Sequence, residues 1–435
     1  MDRRILIVGT VPYNKKMTSR AFDAYFGDMN RDCLCQIFSH PMAPQKGHCA
    51  SLYQITDAML LRKAMGKSTV VGRQWSYDEL SDSSGDPSDH VDTSRVFRKL
   101  YRIGSRKNAF TCLLRKGLWA KRRWCTEQLN AWLDAFKPEC VFLSFSDDFF
   151  IPEIALYVAR RFDIPIVSSI GDDYYFNDRF SLNPFYIIYR SKYKKLIRSV
   201  FSHGGSAIYI SDKIRDKYNS EFMLDGETVY LSSELEHRAF RPVDTLDPSI
   251  CYFGNIRQGR NESLSMIASA LGTINPAYRL TVCSAQNDGD IVSVLTKNPH
   301  VDFLGAIPYE EVKRRSVESD VLVIVEGFKQ KHINATRYSL STKASDSIRS
   351  GAAIFVFGSP ECGVIEYMAD TGCAEVCCDP KELEASLRHL LFSVEFQQKC
   401  YTRAEEVYEE NHLPAHSRAV FRQVVEKAVD RYGTA

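Results

Sequence analysis

Short runs of apolar, largely β-branched residues recur along the chain. Each is followed by glycine or polar residues and then by a stretch of helical periodicity. Ile5-Leu-Ile-Val8 runs into Gly9-Thr10, Cys140-Val-Phe-Leu-Ser144 into Ser146-Asp147-Asp148, and the run from Ile164 to Ile170 into Gly171-Asp172-Asp173. Ala207-Ile-Tyr-Ile210 leads to Ser211-Asp212, a helix N-cap pairing, and Thr228-Val-Tyr-Leu231 closes the series. A second series opens at Ile250-Cys-Tyr-Phe253 with Gly254-Asn255. It continues through Leu280 to Cys283, Val301 to Gly305, Val321 to Val325 with Glu326, and Ala353 to Phe357 with Gly358. Strands that are apolar almost throughout, rather than alternating, are buried on both faces, as parallel strands between helices are. The two series therefore predict an α/β chain of two doubly wound, Rossmann-like domains facing a cleft.

The charged, proline-bearing connector between the series sets the expected boundaries. These are a first domain over 1–237, a connector over 238–248, a second domain over 249–403, and a helical tail over 404–435 broken at Pro414. The tail is expected to pack back on the first domain.

In open parallel sheets, ligands sit beyond the carboxyl ends of the strands. Gly9, Thr10, Asp147, Asp148, Asp172, Asp173, Gly254, Asn255, Gly305, Glu326 and Gly358 all follow strands and are the first residues to inspect. Arg257 and Arg260 come just after the strand-end Gly254, and a guanidinium fork suits phosphate oxygens. Ser341-Thr342-Lys343 opens a predicted helix that ends near Gly351. Lysine in a first turn opposes the helix dipole, a conflict that a bound anion relieves. Ser359-Pro-Glu361-Cys362-Gly363-Val364 is another loop opening a helix. There Glu361 suits either sugar hydroxyls or the helix dipole itself. The neighbouring carboxylates of Asp172 and Asp173 also admit a second reading, as ligands for Mg²⁺ or Mn²⁺, beside that of strand-end caps or acceptor contacts.

The second half resembles the donor domain of GT-B glycosyltransferases, in the large family-4-like (group 1) set. Tyr252-Phe-Gly254-Asn-Ile-Arg257 is similar to the family's opening motif. Val301-Asp-Phe-Leu-Gly305-Ala306-Ile307-Pro308 is similar to its "V-x-F-x-G" strand, and Ser319-Asp320 with Val321 to Val325 to its acidic-hydrophobic strand. Thr342-Lys343-Ala-Ser-Asp346 through Gly351 to Val356 is similar to its lysine-bearing helix and following strand. In the first half, the loop at Gly9 and the strand Ile164-Pro165-Ile-Val167 resemble family counterparts. Where the family carries an E-x7-E pair, Glu326 stands at the first position and Asn334 at the second. Asp346 replaces the family's glutamate, and Ser146, Asp147 and Asp148 occupy the place of its usual histidine.

The resemblance implies a hexosyltransferase-type enzyme that moves a sugar from a UDP- or GDP-sugar to an acceptor hydroxyl, with retention and without a resident metal or cofactor. It places the acceptor in the first domain and the donor in the second. It assigns Arg257, Lys343 and Glu361 to the chemistry. Gly9, Thr10, Gly254, Asn255, Arg260, Gly305, Ala306, Ile307, Glu326, Thr342, Asp346, Cys362, Gly363 and Val364 fall on the donor, with Arg257, Arg260 and Lys343 meeting the diphosphate. Asp147, Asp148, Asp172 and Asp173 fall on the acceptor side. A nucleotide-sugar epimerase and a non-catalytic nucleotide-sugar-binding protein are the competing classes, since a fold does not fix a function.

Composition narrows this further. With 44% hydrophobic and 25% charged residues over 435 positions, the chain is neither disordered nor fibrous. The thirteen cysteines include no C-x-x-C pair, so they read as small hydrophobes in a reducing cytosol. The N-terminal apolar stretch is too short for a signal peptide, and no run approaches the ~18 apolar residues of a membrane span. A soluble or surface-lying cytoplasmic protein is expected.

The net charge of +2 argues against a nucleic-acid partner. It hides opposed blocks, however. Arg95 to Arg123 holds eleven cations and no acid, interleaved with aromatics, directly after six acids between Asp78 and Asp92. A second basic-aromatic stretch spans 186–201. Both lie in the acceptor half and suit either a solvated helix face or an anionic inner membrane face carrying a lipid-linked acceptor in polysaccharide or glycolipid assembly.

Overall fold

A computed structural model describes residues 3–14, 18–67, 70–81, 108–178, 180–233 and 235–433. The acids from Asp82 to Asp92 and the part of the basic block from Arg95 to Lys107 lie outside the described residues. The chain forms two units, Met1–Val229 with Arg418–Ala435, and Tyr230–Ser417.

The first unit holds an eight-stranded sheet in the order β4-β3-β2-β1-β5-β6-β7-β8. Its strands are β1 (Ile5–Gly9), β2 (Leu34–Phe38), β3 (Ser51–Gln54), β4 (Arg73–Ser76), β5 (Cys140–Ser144), β6 (Ile166–Ile170), β7 (Gly205–Tyr209) and β8 (Glu227–Thr228). All neighbours pair in parallel except the edge strand β4, which pairs antiparallel to β3. The second unit holds a six-stranded parallel sheet in the order β11-β10-β9-β12-β13-β14. These strands are β9 (Ile250–Phe253), β10 (Leu280–Cys283), β11 (Val301–Gly305), β12 (Val321–Val325), β13 (Ala353–Phe357) and β14 (Glu375–Cys377). In both sheets the first strand is central and the order reverses beside it, at β1/β5 and β9/β12. This is the doubly wound arrangement expected from the strand pattern.

The apolar runs form the buried strands for the reason anticipated. All five residues of β1 and all five of β12 are buried, and each such Val, Leu or Ile contributes about 1.5–3 kcal/mol on leaving water. Strands β2, β3, β4 and β14 lie outside the runs singled out in the sequence. Polar side chains interrupt the apolar pattern of the first two. Gln36 in β2 is 1% exposed and Gln54 in β3 is 3% exposed. Their amide nitrogens donate to loop carbonyls, Gln36 Nε2 to Val11 and Gln54 Nε2 to His40, so neither nitrogen is buried without a partner.

The closing helix, Pro414–Tyr432, returns to the first unit from Arg418 onward. Phe421 is fully buried there. Its ring centroid lies 5.5 Å from Tyr25, 5.3 Å from Phe26 and 5.7 Å from Phe142.

Candidate functional site

In the second unit, β9 and β12 pair only at their amino ends, Val321 with Ile250 and Leu322 with Cys251. Beyond that point the two strands diverge, which opens the sheet at its order reversal. Gly254 follows β9 at φ +134°, a conformation that L side chains rarely adopt. A Cβ there would sit 2.3 Å from Lys343 Cε, so the absent side chain is what lets the lysine lie against the turn.

Lys343 enters on the helix Thr342–Ser350. Ser341 caps this helix by accepting from the Lys343 amide at 3.3 Å, and Gly351 ends it at φ +80°. Lys343 Nζ donates to Tyr252 Oη at 2.9 Å and lies 4.7 Å from the centre of that ring. Tyr252 Oη in turn donates to the Asn255 carbonyl at 2.6 Å. Burial, reinforced by the nearby Arg260 cation, lowers the Lys343 ammonium to about 7.

Arg260 begins the helix Arg260–Ile274 and grips Glu326, just past β12, with two bonds. Nη2 reaches Oε1 at 2.6 Å and Nε reaches Oε2 at 3.1 Å. Side-chain exposures of 14% and 3% make this a buried pair. Burial works against the guanidinium charge, but Glu326 more than offsets it and holds Arg260 above its ordinary value. Ser263 Oγ donates to the Glu326 carbonyl at 2.8 Å and fixes the strand end. Tyr252, Arg260, Glu326 and Lys343 thus form one electrostatic cluster at the order reversal.

A cavity of about 310 Å³ adjoins this cluster. Phe253, Gly254, Ser284, Ala306, Ile307 and Lys343 line it, and Asp346 borders it while accepting from Ser233 Oγ at 2.6 Å. Of the residues expected on the donor, Gly254, Ala306, Ile307, Lys343 and Asp346 therefore share one wall, and Arg260 and Glu326 join them through Lys343. Asn255, Gly305 and Thr342 flank the cavity-lining residues in the chain without belonging to the wall.

Arg257 is exposed, its amide donating to Asn255 Oδ1 at 2.8 Å. Glu361 lies ahead of the helix Gly363–Thr371 rather than in its first turn, and it pairs with Arg337 Nη2 at 2.5 Å. Cys362 is buried and accepts from Thr336 Oγ1 at 3.3 Å, and Val364 is buried beside it. A Cβ on Gly363 would meet the carbonyl oxygens of Arg337 and Ser339 at 3.0 Å. Tyr252 and Arg337 are among the partners absent from the sequence assignments. Tyr252 was legible from its place two residues before Gly254. Arg337 carries no motif signal.

In the first unit, Gly9 ends β1, and a Cβ there would come within 3.1 Å of Ser144 Cβ on β5. The Thr10 carbonyl accepts from the amides of Ser39 and His40 at 3.1 and 2.9 Å. Asp148 pairs with Arg115 Nη1 at 2.5 Å, and Arg115 also holds Asp57 at 3.0 Å. The Asp147 carbonyl accepts from Tyr189 Oη at 3.4 Å. Asp172 accepts from Tyr174 Oη at 3.2 Å. Asp173 Oδ1 accepts from the Tyr175 and Phe176 amides at 3.1 and 2.8 Å and from Tyr218 Oη at 2.8 Å. The Asp173 carboxylate is thus a brace for the turn after β6.

No protein-family model and no curated protein matches the chain. Solved structures do. The Anabaena protein HepE in complex with UDP aligns at a TM-score of 0.60 and 9% identity, over 98% of this chain and 100% of that one. A trehalose-6-phosphate structure from E. coli bound with UDP-2-fluoro glucose aligns at 0.57 and 10%, over 98% and 99%. An α,α-trehalose-phosphate synthase (UDP-forming) from Burkholderia vietnamiensis aligns at 0.53 and 10%, over 99% and 100%. The chain has the fold of these proteins, the GT-B fold that its sequence resembles.

Proposed function

We propose that the protein is a glycosyltransferase that takes a sugar from a nucleoside-diphosphate sugar, with the donor in the second unit and the acceptor hydroxyl in the first. The observation that carries this reading is the Lys343–Arg260–Glu326 cluster at the order reversal of the second sheet, beside a cavity of nucleoside size.

Breaking a glycosidic bond to a diphosphate leaves negative charge on the leaving oxygens. Lys343, Arg260 and the first amides of the helix Thr342–Ser350 are preorganised to meet that charge, and exposed Arg257 has the reach of a flexible cation at the same loop. The apolar wall at Ala306 and Ile307 suits the base. Glu326, with Glu361 from the neighbouring loop, suits donor hydroxyls. UDP is the first nucleotide to test, because HepE and the E. coli protein were solved with UDP or a UDP-sugar.

In this reading transfer proceeds with retention and needs no metal. The acceptor hydroxyl gives its proton to the departing phosphate oxygen as the new glycosidic bond forms. The acceptor is a saccharide or a lipid-linked hydroxyl in polysaccharide or glycolipid assembly, and Asp147, Asp148 and Asp172 are the acceptor-side carboxylates.

Thermal-shift measurements with UDP, GDP and ADP, followed by donor turnover with and without EDTA, test the proposal. Stabilisation by one diphosphate and EDTA-resistant transfer are expected. Epimerisation of the donor without an acceptor, or activity restored only by Mn²⁺, overturns it.

A further inference from the structure

In the first unit, the helices Ala109–Leu118 and Pro184–Phe201 lie side by side, with the rings of Phe110 and Phe185 5.1 Å apart. Their outer surface is unusually apolar. Of the exposed large apolar side chains among the described residues, seven fall on these helices and on the loop entering the second. Phe180 and Leu182 in that loop are 93% and 82% exposed, followed by Leu114, Ile187, Phe110 and Phe185. Single exposed apolar residues need no explanation, but a contiguous set does.

The same surface is cationic. The helix Pro184–Phe201 carries Arg190, Lys192, Lys194, Lys195 and Arg198 and no acid, with Arg190 and Lys194 sharing Asp178 from the preceding loop. A groove of about 1060 Å³ runs between these helices and the helix Phe150–Phe162, with Leu113, Leu156, Ile188 and Leu196 on its walls. Lys116, Lys121, Arg160, Arg161 and Lys192 rim it, with Glu153 pairing with Lys116 and Asp134 with Arg161. Among the described residues Arg160, Lys192 and Lys195 form no ion pair, and Lys121 rests on the Tyr157 ring at 4.3 Å.

We propose that this face is the surface by which the protein docks on an anionic bilayer. Phe180, Leu182, Leu114 and Ile187 enter the interfacial layer, and the unpaired cations engage lipid phosphates. Neither feature suffices alone. An apolar patch without cations would equally fit a second copy of the chain, and a basic patch without apolar side chains would remain in the counterion layer. Together they match the two contributions that hold an amphipathic surface to charged lipid, apolar area and electrostatic attraction. The inference stands on the first unit alone and does not depend on the nucleotide-sugar reading of the second.

The test is co-sedimentation of the full chain with sucrose-loaded vesicles of phosphatidylcholine, and of three parts phosphatidylcholine to one part phosphatidylglycerol. Binding to the anionic vesicles only, weakened by salt, is expected. Lys192→Gln/Lys195→Gln should lower the partition coefficient about 25-fold, or about 5-fold per cation removed. Phe180→Ser/Leu182→Ser should lower it by at least about 10-fold. These side chains are exposed, so both variants should keep the wild-type melting temperature and the wild-type response to UDP. Equal binding to both vesicle types, no binding, or unaffected variants overturns the proposal. So does a dimer by light scattering that Phe180→Ser/Leu182→Ser dissolves in the absence of any vesicle binding.

Discussion

Lys343 concentrates the chemistry of the second unit in one side chain. Its ammonium sits near neutrality because burial and Arg260 disfavour the charge. A diphosphate binds the protonated form, so its affinity should be constant well below pH 7 and fall as pH rises through about 7. A nucleotide-sugar is the suitable probe, since its diphosphate does not itself titrate there. Thermal shifts by the donor between about pH 6 and about pH 9 should decline with pH in the wild type and stay flat in Lys343→Met. The same variant should lower kcat/KM by about 10²–10³-fold while leaving the circular-dichroism spectrum unchanged. Tyr252→Phe removes the hydroxyl between Lys343 and the Asn255 carbonyl, at a cost of about 0.5–1.5 kcal/mol in stability by denaturant titration. It should also weaken donor binding, because the lysine head group loses its fixed partner.

Elements matter here through their ends. The turn after β9 works only with glycine at 254, where φ is positive and Lys343 fills the space of a side chain. Gly254→Ala should lower stability by about 1–3 kcal/mol and displace Lys343. Calorimetry with UDP should then show weaker binding than the stability loss alone would give. Glu326 and Arg260 join the end of β12 to the start of the helix Arg260–Ile274. Glu326→Ala leaves a guanidinium buried and uncompensated, so a loss of about 3–5 kcal/mol in equilibrium unfolding is expected. Removing both partners together, as Arg260→Met/Glu326→Leu, should cost less than the single change.

Across the whole molecule, the two units are not two contiguous halves of the chain. Residues from Arg418 onward belong with the first unit, whose aromatic core holds Phe421. Phe421→Ala should destabilise that unit by about 3–5 kcal/mol. A melt followed with UDP present should then show the early transition unaffected by nucleotide and the later one raised by it.

Much of this was legible in the order of residues. The buried parallel strands announce themselves because a strand covered on both faces must be apolar at successive positions. The capped helix at Ser341 and the strand-end glycines follow from equally local rules of backbone geometry. Strands such as β2 and β3 stayed hidden because the amide nitrogens of their buried glutamines are held by loop carbonyls distant in sequence. The partners of Arg260, Glu361 and Asp173 stayed hidden for the same reason. A carboxylate after a strand looks alike whether it braces a turn, as Asp173 does, or pairs with the first residue of a neighbouring helix, as Glu326 does. Local sequence sets backbone preference and burial, which are properties of neighbours along the chain. Charge pairing and cavity shape depend on neighbours in space, and only the folded chain selects those.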